Sequence, residues 1–332
     1  MDTTRGLSQS ISDQFKTRKP PGEAPYIYDQ IILGGGPAGL TAAVYSARKR
    51  IDLLLLTDDI GGQMLWTSDI ENYMGYYYIT AKELIDKFHS QVEQFPIDLL
   101  ANDGAVSLTR ESDIFHVQSR SGKHFCARTL IVASGKRSRS LNVPREKDLI
   151  GHGISYCAIS DGPCFKGMDV AIIGGGNSGL TVAVNMLPLA NKICCVNNST
   201  TLRADGVLVE KARAGKVEFF LGYDVKEIVG KGFVEKLVIR NRESGEIVEK
   251  PVRGVFVEIG LIPNSEFCDG FLKLNQWKEI IVDSSCQTDV SGVYASGDVT
   301  DVPEKQIIVA AGEGAKASLG AYQYLLRKFP KP

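Results

Sequence analysis

Two glycine motifs carry chemistry that the rest of the chain must serve. Gly34-Gly35-Gly36-Pro37-Ala38-Gly39 follows the apolar run Ile31-Ile32-Leu33, and Gly174-Gly175-Gly176-Asn177-Ser178-Gly179 follows Val170-Ala171-Ile172-Ile173. Each sets G-x-G-x-x-G at the end of an expected buried strand and the start of an apolar, helix-compatible stretch. Such a turn offers close backbone approach and a helix N-terminus facing negative charge, which suits a dinucleotide pyrophosphate. One copy is a weak signal, because glycine-rich turns of an α/β sheet carry it without a ligand. Two copies in the same context point to two dinucleotide sites.

The elements that must position these motifs follow from apolar runs. Residues 28–33 read as the first strand, 38–49 as the first helix and 52–56 as the next strand of a βαβ unit. Residues 125–133 form another apolar run, ending at Ser134-Gly135, and the polar stretch 136–142 with Pro144 behind it reads as a crossing between domains. The second unit starts near Val170. Residues 252–259 give a further strand, broken by Gly260 and Pro263 at a second crossing. Gly292-Val293-Tyr294-Ala295-Ser296-Gly297-Asp298 and a small-residue helix from Ile307 close the chain. The reading is an α/β protein with two Rossmann-like dinucleotide-binding domains, the second inserted into the first. The first domain takes residues 26–139 with 263–332, the inserted one 140–262, and residues 1–25 form a flexible tail.

Composition narrows the class. The 332 residues suit two ordinary domains, and 43% hydrophobic with 23% charged residues is a globular balance. A net charge of −1 gives no reason to expect nucleic acid or acidic lipid as a partner. The polar start holds no apolar core for a signal peptide, and no run is long enough to span a membrane, so a cytoplasmic protein is expected. The seven cysteines are Cys126, Cys157, Cys164, Cys194, Cys195, Cys268 and Cys286. An odd number in such a chain argues against a structural disulfide framework. Cys194 and Cys195 read as small buried hydrophobes on opposite faces of one strand. The four histidines show no metal-ligand spacing with the cysteines, and no metal is expected. Tyr76-Tyr77-Tyr78 reads as a packed aromatic loop, with cover for a flavin edge as the alternative.

The ordered set of motifs closely resembles the low-molecular-weight thioredoxin reductases of the pyridine-nucleotide disulfide oxidoreductase class. The set runs from the first fingerprint through Gly61-Gly62-Gln63, Glu71-Asn72, Ala133-Ser134-Gly135, a cysteine segment and the second fingerprint to Ser296-Gly297-Asp298 and Gln306. The resemblance covers residues 28–326. It implies FAD in the split domain, NADPH in the inserted one, a homodimer and a thioredoxin-like disulfide partner. Gly34, Gly36, Pro37, Ala38 and Gly39 would meet the FAD pyrophosphate. Thr57, Ser134, Gly135 and Gly297 would lie along the cofactor. Gly62, Gln63 and Asn72 would line the flavin side, and Asp298 would take hydrogen bonds from the ribityl chain. Gln306 and the Ile307 amide would meet the pyrimidine edge, where a helix N-terminus favours anionic reduced flavin.

Two departures change what the resemblance implies. The family's Cys-x-x-Cys-Asp-Gly reads here Cys157-Ala158-Ile159-Ser160-Asp161-Gly162-Pro163-Cys164. Serine replaces the second cysteine, and a hydroxyl forms no disulfide. Three readings stand: a relocated redox disulfide between Cys157 and Cys164, a lone reactive Cys157, or cysteines that only pack. The first is preferred. Asp161 keeps the place of the family's general acid, and a turn residue before glycine is its simpler role.

The second departure is at the second dinucleotide site, formed by Gly174, Gly176, Asn177, Ser178, Gly179, Asn197 and Arg203. The family's arginines for a 2′-phosphate are replaced by Asn197-Asn198-Ser199, with Arg203 alone surviving. The site reads as built for a dinucleotide other than NADPH, with NAD(H) or a second FAD as occupants. The combination is similar to the diflavin-linked disulfide oxidoreductases. The expected function is FAD-dependent thiol/disulfide exchange without NADPH. An NAD(P)H-dependent thioredoxin reductase and a flavin-binding sensor without turnover are the alternatives.

Overall fold

The computed structural model describes residues 26–66, 69–70, 72–156 and 158–330. The readings for the tail and for Cys157 fall outside these residues. The described chain forms two compact units. One holds the described residues of 26–65, 70–137 and 262–330, and the other holds Trp66, Asp69 and the described residues of 138–261.

The first unit is built on a seven-stranded sheet with Ile27–Gly35 inside it. Leu53–Ile60 and His124–Val132 flank that strand, both parallel to it. Asp98–Leu100 extends one side, and the antiparallel pair Ile114–Ser119 and Ala105–Glu111 extends the other. Val293–Ala295, from late in the chain, pairs parallel with the end of His124–Val132. Strand residues alternate between two cores, as a period of two requires. Ile32, Leu53 and Leu55 face one core, while Ile31, Leu33, Leu54 and Leu56 face the other. Burying each such side chain contributes about 1.5–3 kcal/mol. Both faces are covered, which is why these strands read as continuous apolar runs.

Helix Pro37–Arg48 starts at Gly36, and proline at its first turn costs no hydrogen bond there. The 22-residue helix Ile307–Lys328 packs directly on it. A Cβ on Gly314 would come within 2.0 Å of the Ala38 carbonyl oxygen, so only glycine permits this crossing. The Ser46 and Ser318 hydroxyls pair across it at 2.7 Å.

The second unit repeats the plan. A five-stranded parallel sheet runs Ile154–Ser155, Gly254–Val257, Asp169–Ile173, Lys192–Asn197, Glu218–Leu221. Helix Asn177–Met186 follows the second fingerprint as Pro37–Arg48 follows the first. A three-stranded antiparallel sheet, Tyr223–Val229, Lys236–Asn241 and Ile247–Pro251, completes the unit. Cys194 and Cys195 fall in different cores, on opposite faces of their strand. Burial pushes each thiol up to about 12. No helix among the described residues is long and apolar enough to cross a membrane.

Candidate functional site: two dinucleotide cradles and a cysteine segment

The first fingerprint separates glycines that the protein needs from one that it does not. Gly34 has φ +117°, and a Cβ there would lie 2.3 Å from the Ala133 carbonyl oxygen. A Cβ on Gly39 would lie 1.8 Å from the Gly34 carbonyl oxygen. Gly36 is different. Its φ of −78° and ψ of −174° suit any residue, and the nearest atom to an added Cβ is the Gly62 Cα at 4.0 Å. Nothing inside the protein demands glycine at 36. The gap lies at a helix N-terminus whose first turn holds no acidic residue, which suits a pyrophosphate.

Residues from distant parts of the chain converge here. The Gln63 side-chain amide donates to Asp298 at 2.8 Å, and that of Asn72 donates to the Gln306 side-chain oxygen at 3.0 Å. Gly297 sits on Ala38, and Ala38, Ala133 and Ala310 form one small apolar cluster. The Ser134 hydroxyl donates to the Asn264 carbonyl at 2.6 Å, and the Asn264 amide returns a bond to the Ser134 carbonyl at 2.8 Å. Gly135 turns the chain with φ +65°. Gln306 is the N-cap of helix Ile307–Lys328 and makes no side-chain cap, so the Ile307 amide stands at an uncapped N-terminus. Thr57 serves packing: it is buried under Gly35, and its hydroxyl donates to the Asp59 carbonyl at 2.7 Å.

Electrostatics around this cradle are set by buried carboxyls. Burial raises the pKa of Asp298, opposed by the Gln63 hydrogen bond. Glu313, which the sequence did not single out, is buried and accepts from the Gly297 N–H at 2.9 Å. Burial raises its pKa as well. Its only local signal was a charge among small residues. Lys136 reaches Glu279 at 2.6 Å, and Lys305 reaches the same carboxylate at 3.5 Å.

The second fingerprint repeats the distinction. A Cβ on Gly179 would lie 2.1 Å from the Gly174 carbonyl oxygen, while one on Gly176 would meet nothing within 4 Å. The first helical turn, however, is occupied by polar contacts. Asn177 donates to Asp205 at 3.2 Å and accepts from its backbone N–H at 2.7 Å. The Ser178 hydroxyl donates to Glu258. Asn197 gives its amide hydrogens to the Ser199 and Thr201 carbonyls, each at 3.0 Å, and so closes its own loop. Arg203 is exposed, and its backbone N–H donates to the Gly175 carbonyl at 2.8 Å. Sequence reading missed Arg242. Its guanidinium donates to the Asn198 carbonyl at 3.3 Å and pairs with Asp224 at 3.3 Å. It arrives from a strand pairing far along the chain, so no local signal marked it.

In the cysteine segment, Ala158–Asp161 is a single helical turn, followed by the 3-10 turn Gly162–Phe165. Cys164 is an exposed free thiol. Asp161 caps the 3-10 turn by position. The tyrosine loop departs from the packed reading. Tyr77 is fully exposed and Tyr78 is mostly exposed, because the loop turns its rings away from the core.

Comparison with known proteins adds to this geometry. The description "Pyridine nucleotide-disulphide oxidoreductase" belongs to the family model that matches residues 28–314. The F component of the alkyl hydroperoxide reductase of Escherichia coli (strain K12) is 41% identical over 305 residues, 90% of this chain and 58% of that protein. NADH dehydrogenase of Bacillus subtilis (strain 168) is 38% identical over 321 residues, 96% of this chain and 62% of that protein. The chain thus spans less than two thirds of the length of these relatives. The structure of Lactococcus lactis thioredoxin reductase in the FR conformation matches with a TM-score of 0.78 at 32% identity, covering 90% of this chain and 99% of that one. The T. acidophilum thioredoxin reductase matches with a TM-score of 0.74 at 32% identity, covering 89% and 98%. The chain therefore belongs to the pyridine nucleotide-disulphide oxidoreductases and has the two-domain dinucleotide-binding fold of thioredoxin reductases.

Proposed function

We propose that this chain moves electron pairs between a thiol/disulfide and FAD without depending on NADPH. The observation that carries the reading is the open space at Gly36, whose backbone suits any residue and where an added Cβ would meet nothing nearer than 4.0 Å, so that glycine has a reason there only if something outside the chain approaches. Gly34, Gly36, Pro37, Ala38 and Gly39 hold the pyrophosphate, Asp298 accepts from ribityl hydroxyls, and Gln63, Asn72, Gln306 and the Ile307 amide hold the ring edge. Bound FAD supplies a two-electron acceptor and donor. The chain supplies Cys157 and Cys164. Their joining as a disulfide releases two electrons and two protons, and opening it takes them back. Asp161 holds the proton exchanged at sulfur. The exposed Cys164 thiol supports access by a dithiol or a small disulfide protein of thioredoxin type. A homodimer is the proposed assembly.

For the second cradle NADH is the proposed ligand, with a second FAD as the other outcome. Asn197-Asn198-Ser199 itself offers no cation to a 2′-phosphate, and Arg242, which reaches the Asn198 carbonyl, is already paired with Asp224. The Bacillus subtilis relative is named an NADH dehydrogenase. Flavin released on denaturation, counted per chain, together with anaerobic mixing with NADH, tests this. One FAD per chain with bleaching by NADH supports the first ligand, and two FAD support the second. Colourless protein that cannot be reconstituted with FAD refutes the whole reading.

A further inference from the structure

The two cradles differ in chemistry at one pair of corresponding positions. Ala133 and Glu258 follow corresponding strands. The Ala133 N–H donates to the Leu33 carbonyl at 2.7 Å, and the Glu258 N–H donates to the Ile173 carbonyl at 2.8 Å. Their own carbonyl oxygens lie equally tight against the fingerprints, 2.3 Å from a Cβ on Gly34 and 2.1 Å from a Cβ on Gly174. The residues facing them are Ala38 and Ser178, each second in its helix. In the first cradle the pair is two methyl groups in one apolar cluster. In the second it is a carboxylate accepting a hydroxyl hydrogen bond. The second cradle thus sets a carboxyl group, whose pKa burial raises and the Ser178 hydrogen bond lowers, against the first turn of the helix whose N-terminus would receive the pyrophosphate. Asp205, on Asn177, adds a second carboxylate to the same turn, where the first cradle has Pro37.

We propose that Glu258 sets ligand affinity and choice at the second dinucleotide site: its carboxylate, held by Ser178, competes with the pyrophosphate for the fingerprint helix. This rests on reading the second cradle as a dinucleotide site. Glu258 is a positioning and selecting residue here, with no part in the redox step. A pyrophosphate brings negative charge against this carboxylate, and the competition weakens NADH binding. A neutral adenosine carries no such charge and is indifferent to the carboxylate.

The test is anaerobic calorimetric titration of the full chain, its bound FAD reduced beforehand, with NADH and, separately, with adenosine. Wild type is compared with Glu258→Gln, which keeps a hydrogen-bond acceptor for Ser178, and with Glu258→Ala, which restores the residue of the first cradle. Tenfold or greater tightening for NADH in both variants, with adenosine changed less than twofold, is the expected result. Adding Gly176→Val to the Glu258→Gln chain should abolish the gain, since its side chain fills the open cradle. NADH bound with equal or weaker affinity by both variants overturns the role of Glu258 and leaves the site reading standing. NADH bound by no form of the protein overturns both. A gain that survives Gly176→Val places the binding elsewhere and also overturns the proposal. Thermal melting of each variant confirms that the compared proteins are folded.

Discussion

Replacing Gly36 by alanine should separate cofactor binding from folding. The added methyl would lie 4.0 Å from its nearest protein neighbour, an ordinary contact, and the backbone there is already in a region open to alanine. The apoprotein should therefore keep its stability, and lost freedom in the unfolded chain could add about 0.4–1 kcal/mol. FAD should suffer instead. A methyl group in the approach path displaces the pyrophosphate from charge-assisted bonds worth about 1.5–3 kcal/mol. At 1.4 kcal/mol per factor of ten, affinity should fall roughly ten- to hundredfold. Gly39→Ala is the opposite control. Its methyl would stand 1.8 Å from the Gly34 carbonyl oxygen, so the strand and helix must separate, at a cost of about 1–3 kcal/mol or more. Apoprotein melting and FAD titration by flavin fluorescence quenching read the two effects. Wild-type FAD affinity in Gly36→Ala, or a melting loss as large as that of Gly39→Ala, would refute the assignment of the gap.

Three further outcomes follow from the same structure. Cys157→Ser and Cys164→Ser should each abolish flavin reduction by a dithiol while FAD stays bound, whereas Cys194→Ala and Cys195→Ala should not, since both thiols are buried and held near 12; dithiol reduction intact in Cys164→Ser rules out the relocated pair. Stoichiometric NADPH under anaerobic conditions should leave most flavin oxidised over seconds, and rapid bleaching would count against NADPH independence. Burial raises the Glu313 pKa above its unfolded value of about 4.3, so its unfavourable contribution is absent below that value and grows as pH rises through the folded one. The melting advantage of Glu313→Gln over wild type should accordingly widen from acid to neutral pH, and a constant difference would contradict that burial.

What the sequence made legible was local. Strand, glycine turn and helix are contiguous, so both cradles and the split of the first unit could be read from apolar runs and breakers. The opposite facing of Cys194 and Cys195 followed from the strand period alone. Glu258, Arg242 and Glu313 were missed because each reaches its cradle through a pairing of distant segments. The sheet Tyr223–Val229, Lys236–Asn241 and Ile247–Pro251 was missed for another reason. Its strands carry many charged, half-exposed residues, and its apolar signal is thin. The tyrosine triplet misled because large aromatic residues are more often packed, and nothing local announces that a loop turns outward.

The crossing of helix Ile307–Lys328 over Pro37–Arg48 also has a consequence during synthesis. Apart from Trp66 and Asp69, the inserted unit is one continuous stretch and can close as soon as it leaves the ribosome. The first unit cannot. Its sheet lacks Val293–Ala295, and the apolar side of helix Pro37–Arg48 lacks its cover, until the chain beyond Gly314 has emerged. Translation adds roughly 5–20 residues per second, so the early half waits on the order of ten seconds or more with Ile32, Leu53 and Leu55 incompletely sealed. A nascent-chain experiment should find protease resistance first in Ser138–Leu261, and a chaperone that holds this protein should grip the waiting sheet of the first unit.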